Sequence, residues 1–268
     1  MLELYRAVGR LDCLAALRTD EFLSMKKDAV PMIRRFSPSN RMWSTAWTLL
    51  MVSLVLSPAL AQDKPEGKSI FNGKDLSGWE GAAGLWSVED GAITGKTTEA
   101  DPIKNNTFLV WKEGKVGDFE LTLEYRIQGG NSGIQYRSQL VDKEKFIVGG
   151  YQADIDSGAR YTGINYEERG RGIMADRGQL VQVTAAGEKK VTGSSGDAGE
   201  LIKKVKENDW NRYRIVAKGN KLQHYINDVL MSEVTDEESA KAAKEGILAF
   251  QLHAGPAMKV QFRNIQLR

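Results

Sequence analysis

The chain has 268 residues, with 37 Lys and Arg against 35 Asp and Glu, so its formal net charge is +2. It has no basic run with interleaved aromatic residues, which argues against a nucleic-acid partner. The only cysteine, Cys13, lies near the N-terminus, so the rest of the chain has no disulfide, thiol nucleophile or cysteine metal site.

Residues 1–61 are predicted to be a leader that contains a secretory signal peptide. Basic residues precede an apolar run from Trp47 to Leu56, and the small residues Ala59 and Ala61 suit a signal peptidase. The run is shorter than the roughly 20 residues that span a bilayer, which argues against a stable membrane anchor. We therefore expect cleavage after Ala61 and a periplasmic or extracellular protein. Residues 1–31 could be a mis-assigned start, because Met32 can also initiate.

Residues 62–68 are predicted to be a polar linker, and residues 69–268 a single β-sandwich domain. In Asp118–Ile127, apolar residues alternate with polar ones, which is typical of a half-buried strand. Three further segments are predicted to be consecutive antiparallel strands joined by the tight turns Gly219-Asn220 and Asn227-Asp228. They are Trp210–Lys218, Lys221–Ile226 and Val229–Val234.

One helix is predicted, over Asp236–Glu245, with Thr235 and Glu238 as a capping box and Gly246 as its stop. The glycine-rich stretch Gly187–Gly199 is predicted to be a loop. Many short strands, a dozen or so, with a single helix indicate an all-β fold of two packed antiparallel sheets. The predicted core includes Leu121, Leu123, Ile134, Leu248, Phe250, Leu252 and Phe262.

Six short blocks along the domain resemble, in this order, the 3-keto-disaccharide hydrolase family. They are Phe71–Trp79, Asp118–Ile127, Asn131–Arg137, Gly149–Asp156, Gly246–His253 and Phe262–Arg268. The resemblance covers nearly all of the chain after residue 68. It implies a concanavalin A-like jelly-roll sandwich and a carbohydrate substrate. It also implies elimination followed by hydration, in which a ketone at sugar C3 acidifies the proton on C2.

Three of these blocks carry polar residues on one strand face. By the two-residue alternation of a strand, the polar side chains of each block point the same way. They are Gln135 and Arg137, Gln152 and Asp154, and Gln251 and His253. These residues either line a common groove that binds a sugar or form an ordinary solvated sheet face.

For the implied reaction we assign Asp154 as base, Arg137 as electrophile for the enolate oxygen and His253 as acid. The amides of Gln135, Gln152 and Gln251 would hold sugar hydroxyls. Many family members have a Glu where Gln152 stands, and an amide cannot abstract a proton. The base is therefore assigned to Asp154, two residues on. The structural alternatives are an ion pair with Glu120 or Glu124 for Arg137, a turn or cap carboxylate for Asp154 and an ordinary strand-end histidine for His253.

The segment Tyr166–Gly172 places two acids and two arginines between glycines. Tyr166, Glu167 and Arg169 are predicted to contact substrate at the groove edge, and a solvated loop with internal ion pairs is the alternative. Groove carboxylates together with His253 could hold one divalent ion. His224 alternates with apolar residues and is interpreted as structural.

The predicted function is an exported enzyme that cleaves 3-keto-glycosides. A non-catalytic carbohydrate-binding module of the same fold is the main alternative, because Gln152 replaces the Glu. A structural or adhesive exported domain is a third possibility. The sequence does not determine the oligomeric state.

Overall fold

The computed structural model describes residues 67–268. The predicted leader, the cleavage site and most of the linker lie outside these residues. Lys68, predicted to end the linker, belongs to a short strand that pairs with the C-terminal strand, opposite Leu267. No helix within residues 67–268 has the length and hydropathy of a membrane-spanning segment.

The described residues form strands almost throughout, with one short helix. In chain order the elements are β1 (Lys68–Ser69), β2 (Trp79–Glu80), β3 (Trp86–Glu89), β4 (Ala92–Lys96), β5 (Thr107–Trp111), β6 (Phe119–Gln128), β7 (Asn131–Asp142), β8 (Ile147–Asp156), β9 (Asn165–Glu168), β10 (Gly172–Ala175), β11 (Gln179–Val183), β12 (Lys189–Ser194), α1 (Ala198–Ile202), β13 (Asn211–Lys218), β14 (Lys221–Ile226), β15 (Val229–Asp236), β16 (Ile247–Leu252) and β17 (Lys259–Leu267).

The strands form two sheets packed face to face. A ten-stranded sheet has the order β12-β11-β15-β14-β13-β6-β17-β4-β3, with β1 added beside β17. A seven-stranded sheet has the order β10-β9-β8-β7-β16-β5-β2. Neighbouring strands are antiparallel except β11 and β15. The predicted all-β jelly-roll sandwich is confirmed.

The core lies between the two sheets and contains the residues that the strand alternation predicted. Leu121, Leu123, Ile134, Leu248, Phe250, Leu252 and Phe262 are all buried. Phe250 stacks on Trp79 with ring centroids 4.9 Å apart and on Phe262 at 4.0 Å, which joins the two sheets. Burial of this continuous apolar layer is the main force that holds the sheets together.

The hairpin turns are confirmed, but the predicted helix is wrong. β13, β14 and β15 are consecutive antiparallel strands, and Asn227 and Asp228 both have positive φ, as the tight turn requires. Thr235, the expected cap, is a strand residue paired with Lys221, so β15 runs to Asp236. The segment after it forms turns, with one helix-like bond from Ala242 N to the Glu238 carbonyl.

The predicted loop at Gly187–Gly199 is also wrong in part, because it contains β12 and the start of α1. Asp197 caps α1 by accepting a hydrogen bond from the backbone N–H of Glu200 at 3.0 Å. The glycine content favoured a loop, but part of this stretch is an edge strand whose side chains are mostly exposed.

A β-bulge in β7 bends the β7–β8 hairpin across the outward face of its own sheet. The register with β8 shifts after Tyr136, and Arg137 has a φ of +46°, in the left-handed region. A Cβ on Gly246 would lie 2.3 Å from the Arg137 carbonyl carbon, so only glycine fits against the bulge. The hairpin tip reaches β5, where Phe108 N donates to the Phe146 carbonyl at 3.0 Å.

The Arg137 side chain stabilises this bend through hydrogen bonds to neighbouring loops. Its Nε donates to the Gly117 carbonyl at 2.8 Å and its Nη1 to the Gly219 carbonyl at 2.7 Å. Nη2 pairs with the exposed carboxylate of Asp118 at 3.0 Å. The guanidinium is itself buried, and it connects the bulge to two loops of the ten-stranded sheet.

Replacing Arg137 with Met should lower the free energy of unfolding by about 2–4 kcal/mol, because two hydrogen bonds from a charged donor, typically worth about 1.5–3 kcal/mol each, are lost. Water replaces them in part, since Gly117 is half-buried and Gly219 is exposed. Urea denaturation measures this change. Arg169→Met, in an exposed turn, is the control and should be near neutral. Equal stability of both variants and the wild type would show that the Arg137 contacts do not hold the bend.

His224 is buried between the sheets and binds neutral partners, which supports its structural interpretation. Its Nδ1 donates to the Ile164 carbonyl at 3.1 Å, and its Nε2 accepts from the Tyr136 hydroxyl at 2.9 Å. Burial lowers the pKa of His224 from 6.5 to about 3. The folded protein therefore binds this proton more weakly than the unfolded chain does.

The stability that neutral His224 contributes should be complete above pH 6.5 and should be lost as the pH falls toward 3. Compared with His224→Asn, the wild type should lose its stability advantage by about 1.4 kcal/mol per pH unit within that window. Urea denaturation of both proteins at each pH gives the difference between their free energies of unfolding. The contributions of the other titrating groups are common to both proteins and cancel in this difference. A stability difference that stays constant from pH 7 to 4 would contradict the prediction.

Candidate functional site

The outward face of the seven-stranded sheet carries a group of buried polar side chains. In β7, β8 and β16, apolar side chains point toward the ten-stranded sheet and the intervening polar ones point outward. Gln135 lies opposite Gln152 across the β7–β8 pair, and Gly133 lies opposite Asp154. Gln251 occupies the outward face of the adjacent β16.

These side chains form a continuous hydrogen-bonded network. Gln135 Nε2 donates to Gln152 Oε1 at 2.6 Å, and Ser138 Oγ donates to Gln135 Oε1 at 2.6 Å. Gln152 Nε2 donates to Asp154 Oδ1 and also lies 3.5 Å from Gln251 Oε1. The structure therefore brings together four of the predicted site residues, Gln135, Gln152, Asp154 and Gln251. We call this group the polar cluster.

The absence of a side chain at Gly133 makes the network possible. A Cβ at this position would lie 2.5 Å from Gln152 Cδ. The Gln152 side chain therefore crosses β7 in the space that Gly133 leaves, and its amide reaches toward both Asp154 and Gln251.

Glu168 and Asn106 complete the cluster, and the sequence analysis missed both. Glu168 Oε1 accepts from Asn106 Nδ2 at 3.3 Å, and Oε2 lies 3.5 Å from Gln251 Nε2. Asn106 is oriented by the N–H of Ala254, which donates to its Oδ1 at 2.9 Å. The sequence could have indicated Glu168. It lies two residues after Tyr166 in β9, so both side chains point to the same face, and Tyr166 lies opposite Gln152. Asn106 lies outside the strands and carried no signal.

The contact between Glu168 and Asn106 shows that this face is concave. β9 and β5 are four strand spacings apart in the sheet order, which is about 19 Å in a flat sheet. A glutamate and an asparagine side chain cannot span that distance, so the strands must curve toward the outward face. The β7 bulge lies within this curved part of the sheet, and bulges bend the strands that contain them.

The bent hairpin covers the other half of the outward face. Phe108, Val110, Val148 and Ala249 form a small apolar cluster there, separate from the main core. Thr107 Oγ1 donates to the Lys145 carbonyl at 3.0 Å, which holds the hairpin tip down. The polar cluster thus lies beside a wall made by the protein's own hairpin.

Burial gives Asp154 an unusual protonation state. Removal from water raises the pKa of Asp154 from 3.8 to about 8, and the nearby charges of Glu168 and Asp156 add to the rise. The hydrogen bond from Gln152 opposes it without cancelling it. Asp154 is therefore mainly an uncharged carboxylic acid at neutral pH. Burial, together with the neighbouring carboxyls of Glu168 and Asp154, also raises the pKa of Tyr166, which keeps its hydroxyl protonated.

Arg137 is not part of this group, contrary to the sequence prediction. The bulge resets the two-residue alternation, so its side chain turns away from Gln135 and binds loop carbonyls instead. The predicted role of electrophile has no geometric support, and neither does the predicted alternative of an ion pair with Glu120 or Glu124. Those carboxylates pair with Arg268 and Arg263.

Of the three residues predicted from the segment Tyr166–Gly172, only Tyr166 faces the polar cluster. Glu167 points inward and pairs with Arg171, whose guanidinium also pairs with Asp236 at 2.6 Å and Glu238 at 3.0 Å. This largely buried ion network links the edge of the seven-stranded sheet to the end of β15. Arg169 has a φ of +57° and is exposed in the tight turn that follows β9.

His253 lies at the end of the same face rather than within the cluster. It follows β16, two residues beyond Gln251, or about 7 Å along the strand. It is exposed, and its Nδ1 donates to the Ala254 carbonyl at 2.6 Å. With Asn131 and Asp156 it lines a depression of about 340 Å³ at the ends of β7, β8 and β16.

Asp156, at the rim of this depression, has a structural role. Its carboxylate accepts backbone N–H bonds from Gly158 at 3.1 Å, Arg160 at 2.9 Å and Tyr161 at 3.1 Å, which hold the loop after β8. Among residues 67–268, no three His, Asp or Glu side chains are grouped to hold a metal ion.

Comparisons with known proteins agree with this architecture. A protein from Parabacteroides distasonis proposed to be a glycosyl hydrolase superposes with a TM-score of 0.50 at 19% identity, covering 75% of this chain and 98% of its own. The carbohydrate-binding module CBM66 from Bacillus subtilis gives a TM-score of 0.47 at 16% identity, covering 71% and 95%. At these identities the likeness concerns the fold alone.

No curated protein matches the chain. The model of one domain family, described as 3-keto-alpha-glucoside-1,2-lyase-like, matches residues 66–268, as the six sequence blocks predicted. The chain therefore belongs to the 3-keto-alpha-glucoside-1,2-lyase-like family and has a carbohydrate-active or carbohydrate-binding role.

Proposed function

We propose that this chain is an exported enzyme that cleaves 3-keto-glycosides by elimination followed by hydration. The observation that carries the proposal is the polar cluster, in which an uncharged carboxyl, Asp154, lies among amides on a concave sheet face. Amides suit the recognition of sugar hydroxyls, and a carboxyl with a pKa near neutrality suits proton transfer. Family membership supports the same chemistry.

The reaction needs two proton transfers at neighbouring carbons. A base removes the proton from C2, the C–H electrons form an enolate with the C3 ketone, and the C1–O bond then breaks. The departing oxygen takes a proton, and water later adds across the C1–C2 double bond to give the free 3-keto-sugar. No change of oxidation state is required, and the second step restores the proton on C2.

The cluster supplies the groups for these steps. Asp154 is the buried carboxyl that transfers a proton, while the amides of Gln152 and Gln251 hold sugar hydroxyls. The enolate oxygen needs a donor, and the protonated hydroxyl of Tyr166 on the same face is suitable. His253, predicted to be the acid, lies on the rim, where it would contact the leaving group.

A binding module is the second candidate, and one observation favours it. The position where many family members have a Glu holds Gln152, whose amide cannot abstract a proton. An amide-rich face of this kind could bind a sugar without turnover.

Purified protein should release the aglycone from a 3-keto-glucoside but not from the parent glucoside, because only the ketone makes the C2 proton acidic. Deuterium at C2 should slow the release if proton abstraction limits the rate. Product formation is followed by chromatography and sugar binding by calorimetry. Comparable cleavage of both substrates would point to conventional hydrolysis, and binding of the 3-keto-sugar without product would favour the binding module.

Export is expected to produce a mature chain that begins at Gln62, because cleavage should follow Ala61. N-terminal sequencing of protein recovered outside the cytoplasm tests this, with Ala61→Leu as the variant that should block processing. Membrane-bound material that keeps Met42 or an earlier N-terminus would contradict it.

A further inference from the structure

Two carboxyl groups on the outward face, Asp154 and Glu168, have contrasting surroundings. Asp154 is 5% exposed, and its side-chain Oδ1 accepts a hydrogen bond from the amide of Gln152. This leaves Oδ2 to carry the proton of the uncharged acid. A buried acid of this kind can donate a proton at neutral pH but is rarely available to accept one.

Glu168 is half-buried and is bound by neutral groups rather than by a cation. Its two oxygens face the amide N–H groups of Asn106 and Gln251. These amide donors hold the carboxylate in place on the outward face of the sheet.

Glu168 and Asp154 are connected through two amides. Gln251 donates toward Glu168 and accepts from Gln152, which in turn donates to Asp154. The two carboxyls thus lie on one face and at opposite ends of one hydrogen-bond chain. The negative charge of Glu168 also favours the protonated form of Asp154.

We propose that Glu168 is the base that removes the proton from C2 and that Asp154 is the acid that protonates the departing glycosidic oxygen. This rests on the proposed function and reverses the role that the sequence suggested for Asp154. The C2 proton moves to a Glu168 oxygen, C1–O cleaves, and the departing oxygen takes the proton of Asp154. After elimination Glu168 is neutral and Asp154 is charged. Hydration then returns one proton to C2 and one to Asp154.

The pH profile distinguishes the two assignments. The titratable groups that act on Asp154 are Glu168, Asp156 and Tyr166, and burial dominates them. As an acid, Asp154 should lose its proton, and kcat/KM should fall, as the pH rises through about 8. As a base it would become active over the same interval, and kcat/KM would rise.

The leaving group provides the sharper test. A 4-nitrophenyl 3-keto-glucoside has a leaving group that departs without protonation, whereas the methyl 3-keto-glucoside needs an acid. Asp154→Asn should slow the methyl substrate by about 10²–10⁴-fold and leave the nitrophenyl substrate near the wild-type rate. Glu168→Gln should slow both substrates by about 10²–10⁴-fold and should abolish exchange of the C2 proton with deuterated solvent.

Glu188→Gln, an exposed carboxylate beside β12, is the matched control and should behave as wild type. Thermal unfolding of each variant excludes loss of fold as the cause. If Asp154→Asn abolishes C2 exchange while Glu168→Gln retains it, the assignment is overturned although the proposed function stands. If the wild type turns over neither substrate, the proposed function fails, and this inference fails with it.

Discussion

The shape of the site depends on the bulge at Arg137. A left-handed backbone conformation at this residue, packed against Gly246, bends the β7–β8 hairpin over the outward face of its own sheet. Bulges bend a strand and increase its twist, and here the bend also moves β9, which follows β8. The guanidinium binds the Gly117 and Gly219 carbonyls and lies outside the polar cluster.

A second interaction fixes the edge of the same sheet. Arg171 pairs with Glu167, Asp236 and Glu238, and so ties the turn after β9 to the end of β15. Removing one partner from a buried ion network leaves an uncompensated charge, which typically costs about 3–5 kcal/mol. Because Glu167 is held inward, the next residue, Glu168, must point outward. Adjacent glutamates thus face opposite sides of the sheet, Glu167 toward the Arg171 ion network and Glu168 toward the polar cluster.

Two-residue alternation predicted the sandwich, the core and four members of the polar cluster, because burial of one strand face fixes the direction of every side chain. It failed at Arg137, since a bulge shifts the alternation by one residue and leaves no mark in the sequence. The helix over Asp236–Glu245 failed because local capping signals compete with long-range contacts, and Asp236 and Glu238 are engaged by Arg171. The protonation state of Asp154 is a property of burial, which sequence pattern does not report.

Under the proposed function, the hairpin that covers Phe108 and Val110 would also limit the length of the substrate. It closes one side of the concave face, while the depression at His253 lies at the strand ends beside the polar cluster. A sugar bound against Asp154 would then be a terminal unit, because the hairpin would block a polymer from continuing past it. The proposed enzyme would therefore act on chain ends and small glycosides rather than within a long polysaccharide.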